Sequence, residues 1–123
     1  QKDYLLDTIG PSRIVDVTEQ NATYDNYGGD KEVYPLDIGR LRHVIEKVAD
    51  MSKWGRELPK GRGLGIAAHR SFLTYVATVV EVEVSDAGDL NVIKSWVAID
   101  AGTVVNTDTV KNQTQGGSIY GIT

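Results

Sequence analysis

From Ser71 to Val84 the side chains alternate, with Phe72, Thr74, Val76, Thr78, Val80, Val82 and Val84 on one side and Leu73, Tyr75, Ala77, Val79, Glu81 and Glu83 on the other. A period of two predicts a strand. The even-numbered side is the more uniformly apolar, so it is expected to meet the helix that follows Pro35. Ser85-Asp86-Ala87-Gly88-Asp89 reads as a tight turn with Gly88 in the left-handed region, and Leu90 to Ile99 returns as the hairpin partner. Asp100-Ala101-Gly102 ends that second strand.

A helical period governs the stretch after Pro35. Leu41, Val44, Ile45 and Val48 recur at i, i+3, i+4 and i+7, while Arg40, His43, Glu46, Lys47 and Asp50 fall on the solvated side. Asp37 is placed to cap the amino end, and Gly55 to close the carboxyl end. Residues 1 to 9 predict one or two helical turns, stopped by Gly10 and Pro11. From Pro11 to Pro35 the chain is polar and rich in Asn, Gly and Tyr, which predicts a long loop that either has a task or packs against something outside the chain.

The last helix, over 108 to 123, is capped by Asn106 or Thr107 and breaks a rule. Gly116, Gly117 and Gly121 each cost about 1 kcal/mol relative to alanine inside a helix. Thr114, Gly117 and Gly121 form a stripe of small residues that would let another backbone, or a flat ligand, approach closely. The elements together predict one α+β domain over residues 1 to 123. Its centre is a hairpin-based antiparallel or mixed sheet, with one amphipathic helix packed on it and a Gly-rich carboxy-terminal helix.

Composition narrows the function classes. Of 123 residues, 41% are hydrophobic and 24% charged, which excludes collagen-like and wholly disordered chains. A net charge of −4 has the wrong sign for binding nucleic acid through phosphate neutralisation. The absence of cysteine removes disulfides, thiolate zinc sites and iron–sulfur ligation from this chain, and leaves the redox compartment undecided. No apolar run has the length of a membrane span, and the amino terminus lacks the basic-then-apolar pattern of a signal peptide. The chain starts at Gln1 and stops inside the predicted helix, so it is expected to be a piece of something longer.

Most chemical motifs are weak. Gly61, Gly63 and Gly65 imitate a phosphate-cradling loop, but the spacing fits no nucleotide fingerprint and a strand follows, so a flexible crossing into the sheet is the simpler reading. His43 and His69 lack triad partners or further ligands at readable spacing. Glu81 and Glu83 share a strand face, as alternating glutamates on an outer surface do. Asn21 and Asn112 head N-x-S/T sequons that carry little weight without a secretory signal. Trp54 and Trp96 suit a core or an interface. What remains is the block from Asp100 to Thr123, where Gln113 and Gln115 offer donors and an acceptor in a fixed plane beside glycines. Contact with a heteroaromatic or carbonyl-bearing ligand and plain helix packing are both open there.

The segments Gly63-Leu-Gly-Ile-Ala-Ala-His, Phe72-Leu-Thr-Tyr-Val-Ala-Thr-Val-Val-Glu-Val-Glu-Val, Val97-Ala-Ile-Asp-Ala-Gly-Thr-Val-Val-Asn and Gln113-Thr-Gln-Gly-Gly-Ser-Ile-Tyr-Gly carry a likeness in order and spacing. They resemble the large molybdopterin-binding subunit of the xanthine dehydrogenase and aldehyde oxidase family, and within it most of all the isoquinoline 1-oxidoreductase β-subunit type. The likeness spans roughly residues 35 to 123, the Lys-Trp-Gly ending of the first long helix included. It implies a parent enzyme that hydroxylates heteroaromatics or aldehydes with oxygen from water.

On that resemblance, Gln113 would hydrogen-bond the molybdenum–molybdopterin cofactor, in its dinucleotide form, and Gly116 and Gly117 would let the helix approach it. Gln115 stands where the family usually has glutamate. The family's catalytic glutamate lies in a Gly-Glu-Pro-Pro-like loop that has no match here, so the resemblance implies no catalytic residue and no metal ligand in this chain. The chain is then expected to be a segment that is inactive and binds no cofactor by itself. Its implied partners are the remainder of the large subunit, a 2Fe-2S small subunit or domain, and the heteroaromatic or aldehyde substrate. Bacterial cytoplasm and periplasm are both open. A free-standing, non-enzymatic α+β interaction module is the alternative.

Overall fold

The computed structural model describes residues 1–19 and 21–122. Its elements are α1 (Lys2–Ile9), β1 (Ile14–Val15), two single 3₁₀ turns (Val17–Glu19 and Asn26–Gly28), β2 (Leu36–Asp37), α2 (Ile38–Ser52), β3 (Arg62–Ser71), β4 (Thr74–Val84), β5 (Leu90–Asp100) and α3 (Thr107–Ile122). The class is α+β. Strands β1 and β2 form a short antiparallel ladder, and β3-β4-β5 form an antiparallel sheet with β4 in the middle.

Helix α2 begins where Asp37 accepts hydrogen bonds from the Gly39 and Arg40 amides, at 2.7 and 3.3 Å. The carboxyl end differs from expectation. Lys53 takes the left-handed cap conformation, with φ 52°, and its amide closes back on the Ala49 and Asp50 carbonyls, so Gly55 lies beyond the cap. Val44, Ile45 and Val48 are buried, and each contributes about 1.5–3 kcal/mol of transfer free energy.

The face of β4 that receives α2 is the reverse of the expected one. Tyr75, Ala77 and Val79 are fully buried beneath the helix, while Val76, Thr78 and Val80 are only half-buried on the far side. The register supplies the reason. Ala68, Ala77 and Ala98 stand side by side across three strands, so α2 lies in a trough of small side chains, and Ile66, Val79 and Trp96 form the next row. Two of those rows come partly from β3, which was expected to be a flexible crossing. Gly63, Gly65 and Ala67 empty the outer face of that strand and hide the alternation of Leu64, Ile66 and Ala68 on the inner one. Gly61 opens it at φ 85°, where a Cβ would stand 2.8 Å from the Val84 carbonyl oxygen.

The hairpin of β4 and β5 forms as expected, with Gly88 at φ 91° in its turn. Ser71 to Leu73 do not extend β4. Phe72 and Leu73, at φ 47° and 69°, make a two-residue connection from β3, in a conformation usually given to Asn-Gly. The strain is held from outside. The segment 21–35 folds over this turn, with the Tyr27 ring 4.9 Å from Phe72, and buried Asn26 donates to the Gly29 and Tyr34 carbonyls. Arg70 donates to the Tyr24 hydroxyl at 2.6 Å and to Asn26 Oδ1 at 2.8 Å, which ties that segment to the sheet.

Glu81 is not on an outer surface, whereas the Glu83 side chain stays 40% exposed. Glu81 is 6% exposed on the helix side, 2.6 Å from Arg56 and 3.7 Å from Arg62, and Glu83 meets Arg62 at 3.0 Å. Burial of Glu81 is tolerable because guanidinium groups compensate its charge. Among the described residues, no helix is long and apolar enough to cross a membrane.

Candidate functional site

Helix α3 starts at Asn106, whose side chain accepts from the Thr109 amide at 3.0 Å. It then leans across the sheet face opposite α2, and none of its described residues is buried. Two cavities result. One, of about 660 Å³, lies between α3, β5 and the α2 residue Met51, with Trp96, Val104, Val110, Lys111 and Gln115 among its walls. The other, of about 530 Å³, lies under α3 on the outer face of the sheet, over Val76, Thr78, Val80, Val97 and Ile99, with His69 at one side.

The glutamines part company. Successive helix positions turn by about 100°, so Gln113 and Gln115 point to opposite sides: Gln113 lines the cavity on the sheet face and Gln115 lines the other. Gly117 and Gly121 share the side of Gln113. Gly116 borders neither cavity. Thr114 and Ser118 touch both, and their hydroxyls donate back to the Val110 and Thr114 carbonyls at 2.7 and 2.8 Å, which leaves their lone pairs to accept.

The glycine stripe has no partner backbone. A Cβ placed at Gly116, Gly117 or Gly121 would meet nothing within 4 Å among the described residues. The close neighbour that such a stripe invites is therefore not supplied by these residues, and the α3 backbone lies bare beside the Gln113 amide.

The connection from β5 to α3 carries the strongest polar contact in the region. Arg40 Nε and Nη2 donate to the two oxygens of Asp100, each at 2.7 Å, in a bidentate pair. The same guanidinium lies 4.6 Å over the Tyr75 ring. Tyr75, 0% exposed, donates from its hydroxyl to the Pro35 carbonyl and accepts from the Asp37 amide. Hydrogen bonding to Arg40 holds the Asp100 carboxyl below its ordinary value against the opposing effect of burial, with help from the Gly102 amide. Asp100 in turn raises Arg40.

Sequence patterns placed Arg40 on the solvated helix face and gave Asp100 only the role of a strand end, so this pair was missed. A local cue existed in Asp100-Ala-Gly, where the carboxylate accepts from the amide two residues on, at 3.1 Å. His43 is exposed on α2, and Trp54 and Trp96 are half-buried against the core. Among the described residues, no group of three or more His, Cys, Asp or Glu side chains could hold a metal ion.

The family model of the molybdopterin cofactor-binding domain matches residues 43–123, from the middle of α2 through the sheet to α3. The isoquinoline 1-oxidoreductase subunit beta of Brevundimonas diminuta is 31% identical over 142 aligned positions, covering 95% of this chain and 18% of the relative. The membrane-bound aldehyde dehydrogenase [pyrroloquinoline-quinone] of Gluconacetobacter polyoxogenes is 31% identical over 104 positions, covering 77% of this chain and 14% of the relative. The chain thus spans less than a fifth of the length of either. No solved structure matches. The segment that carries Gln113 and the bare glycine backbone lies wholly inside the match, and the chain belongs to the molybdopterin cofactor-binding domains of the molybdenum oxidoreductases.

Proposed function

We propose that this chain is a segment of a molybdenum hydroxylase large subunit and holds part of the molybdopterin cofactor, in its dinucleotide form, against α3. The observation that carries the reading is that Gln113 and Gly117 open on one cavity, with no described atom within 4 Å of where a Cβ at Gly117 would stand. The residues present fit such a group. A planar amide can donate and accept at once, the hydroxyl oxygens of Thr114 and Ser118 keep acceptor capacity, and the bare backbone gives room for a flat heterocycle.

When bound, the cofactor supplies the two-electron redox chemistry of the parent enzyme, the hydroxylation of N-heteroaromatics or aldehydes with oxygen from water. The names of the two relatives, an isoquinoline oxidoreductase and an aldehyde dehydrogenase, support those two substrate classes. The residues of this chain bind and orient. Gln113 fixes the ligand edge by hydrogen bonds in its amide plane, Gly117 keeps side chains out of the way, and Val76, Val80 and Val97 form an apolar floor below. No residue here is assigned a proton-transfer role, because no Gly-Glu-Pro-Pro-like segment occurs in the sequence. Electrons would leave through a 2Fe-2S partner.

The test is Gln113→Ala in the intact large subunit. Molybdenum per chain or turnover should fall about tenfold or more, the scale of losing a hydrogen bond worth 1.4 kcal/mol or above, with the unfolding curve unchanged. Unaltered molybdenum content and rate would reject the role of Gln113. Hydroxylation by the 123-residue chain alone would reject the segment reading.

A further inference from the structure

We infer that Arg40 and Asp100 form a positioning latch that sets the angle of α3, and with it the placement of Gln113; the link to cofactor binding rests on the function proposed above. Helix α3 buries no described residue, so the packing that fixes α2 does not fix it. Among its described residues only Val110, Thr114 and Ser118 are half-buried, so its orientation depends also on the strand end it leaves. Residues 101–106 between β5 and α3 are all exposed, and Asp100 is the last half-buried residue before them.

The geometry at Asp100 is closed from both sides. One carboxylate oxygen accepts from Arg40 Nη2 at 2.7 Å and from the Gly102 amide at 3.1 Å, while the other accepts from Arg40 Nε at 2.7 Å. A single side chain thereby anchors the strand and starts the turn. Arg40 is itself held. It lies in the first turn of α2, whose cap Asp37 donates its amide to the Tyr75 hydroxyl at 2.7 Å, and its guanidinium covers the Tyr75 ring. A continuous set of contacts runs from the α2 cap through Tyr75 and Arg40 to Asp100. The direction in which the chain departs for α3 is therefore referred to the most deeply buried part of the molecule. A fork with two parallel N–H bonds fixes orientation as well as distance, which a lysine ammonium does not.

The chain has no native cysteine, so a nitroxide pair at Lys47→Cys on α2 and Asn112→Cys on α3, both exposed sites, reports their separation directly by dipolar spectroscopy. In the full 123-residue chain the latch predicts a single narrow distance distribution. Arg40→Lys, which keeps the charge and loses the fork, should broaden it, and so should Asp100→Asn. Arg42→Ala serves as the control, because Arg42 donates to the Leu6 and Gly10 carbonyls and clasps α1 instead. It should lower stability and leave the distribution narrow. No broadening in either latch variant, or equal broadening in Arg42→Ala, would overturn the latch.

In the intact large subunit, Arg40→Lys should also lower molybdenum per chain; unchanged content alongside a broadened distribution would overturn its connection to the cofactor. Gln113→Ala separates the two ideas. Unchanged molybdenum in that variant rejects the proposed function, while the distance measurement, which needs no cofactor, still decides whether the latch exists.

Discussion

The two faces of the central sheet carry similar apolar content and opposite fates. On one, Ala68, Ala77 and Ala98 make a trough into which α2 settles with Val44, Ile45 and Val48 buried. On the other, Val76, Val80, Val97 and Ile99 stay partly open under a helix that buries nothing and carries three glycines. The difference lies in side-chain size and in helix character. An amphipathic helix capped at both ends docks on small residues, while a helix without an apolar stripe only leans on large ones. The first face provides stability and the second leaves space, and Gln113 stands over the space.

Substitution at the packed face should break this contrast most visibly. Ile45→Ala removes a fully buried side chain and should cost about 2–5 kcal/mol in urea unfolding, whereas Val97→Ala, half-buried on the open face, should cost about 1 kcal/mol or less. Equal losses would mean that the outer face is as tightly packed as the inner one.

The latch comes next in size. Asp100→Asn should cost about 1–2 kcal/mol, between the value of an exposed ion pair and that of a charged hydrogen bond. Because the folded state lowers the Asp100 carboxyl below its unfolded value, this stabilisation is fully present above about pH 4. It is lost as the pH falls through the folded value. An acid titration of stability should therefore be flatter below about pH 4 in Asp100→Asn than in the parent chain; superimposable acid limbs would show that the pair contributes nothing.

The smallest effect has the most informative sign. Gly117→Leu meets open space, so in this chain it should raise α3 stability by up to about 1 kcal/mol through helix propensity, while lowering molybdenum content in the intact subunit. Helicity followed by circular dichroism and metal content should move in opposite directions. A loss of helicity would show that something closes on the stripe.

Much of this arrangement was legible in the residues, and the gaps have physical causes. The period of α2, its Asp37 cap, the hairpin of β4 and β5 and the Asn106 cap of α3 are local patterns, and they appear where the patterns place them. Strand β3 escaped because glycines emptied one of its faces, and Phe72-Leu73 escaped as a turn because its strain is compensated by a segment more than forty residues away. The choice of sheet face could not be made from apolar content alone, since the small alanines that admit the helix look like the weaker side. The stripe of Thr114, Gly117 and Gly121 was readable from helical spacing, whereas Gln113 and Gln115, read together as two amides of one helix, open on different cavities. The Arg40–Asp100 pair joins positions sixty residues apart, which no window of local sequence can show.

The brace over the β3–β4 turn changes where this domain can be divided. Tyr24, Asn26, Tyr34, Pro35 and Asp37 all lie before residue 43, where the family match begins, yet they supply the partners of Arg70 and of the Tyr75 hydroxyl within the matched part. Cutting the polypeptide at that point would leave a buried phenol and a guanidinium searching for water inside a sheet, and a hairpin whose turn has lost its counterweight. The contacts that hold Arg70 and the Tyr75 hydroxyl therefore cross the border of the family match, and a cut at residue 43 would sever them.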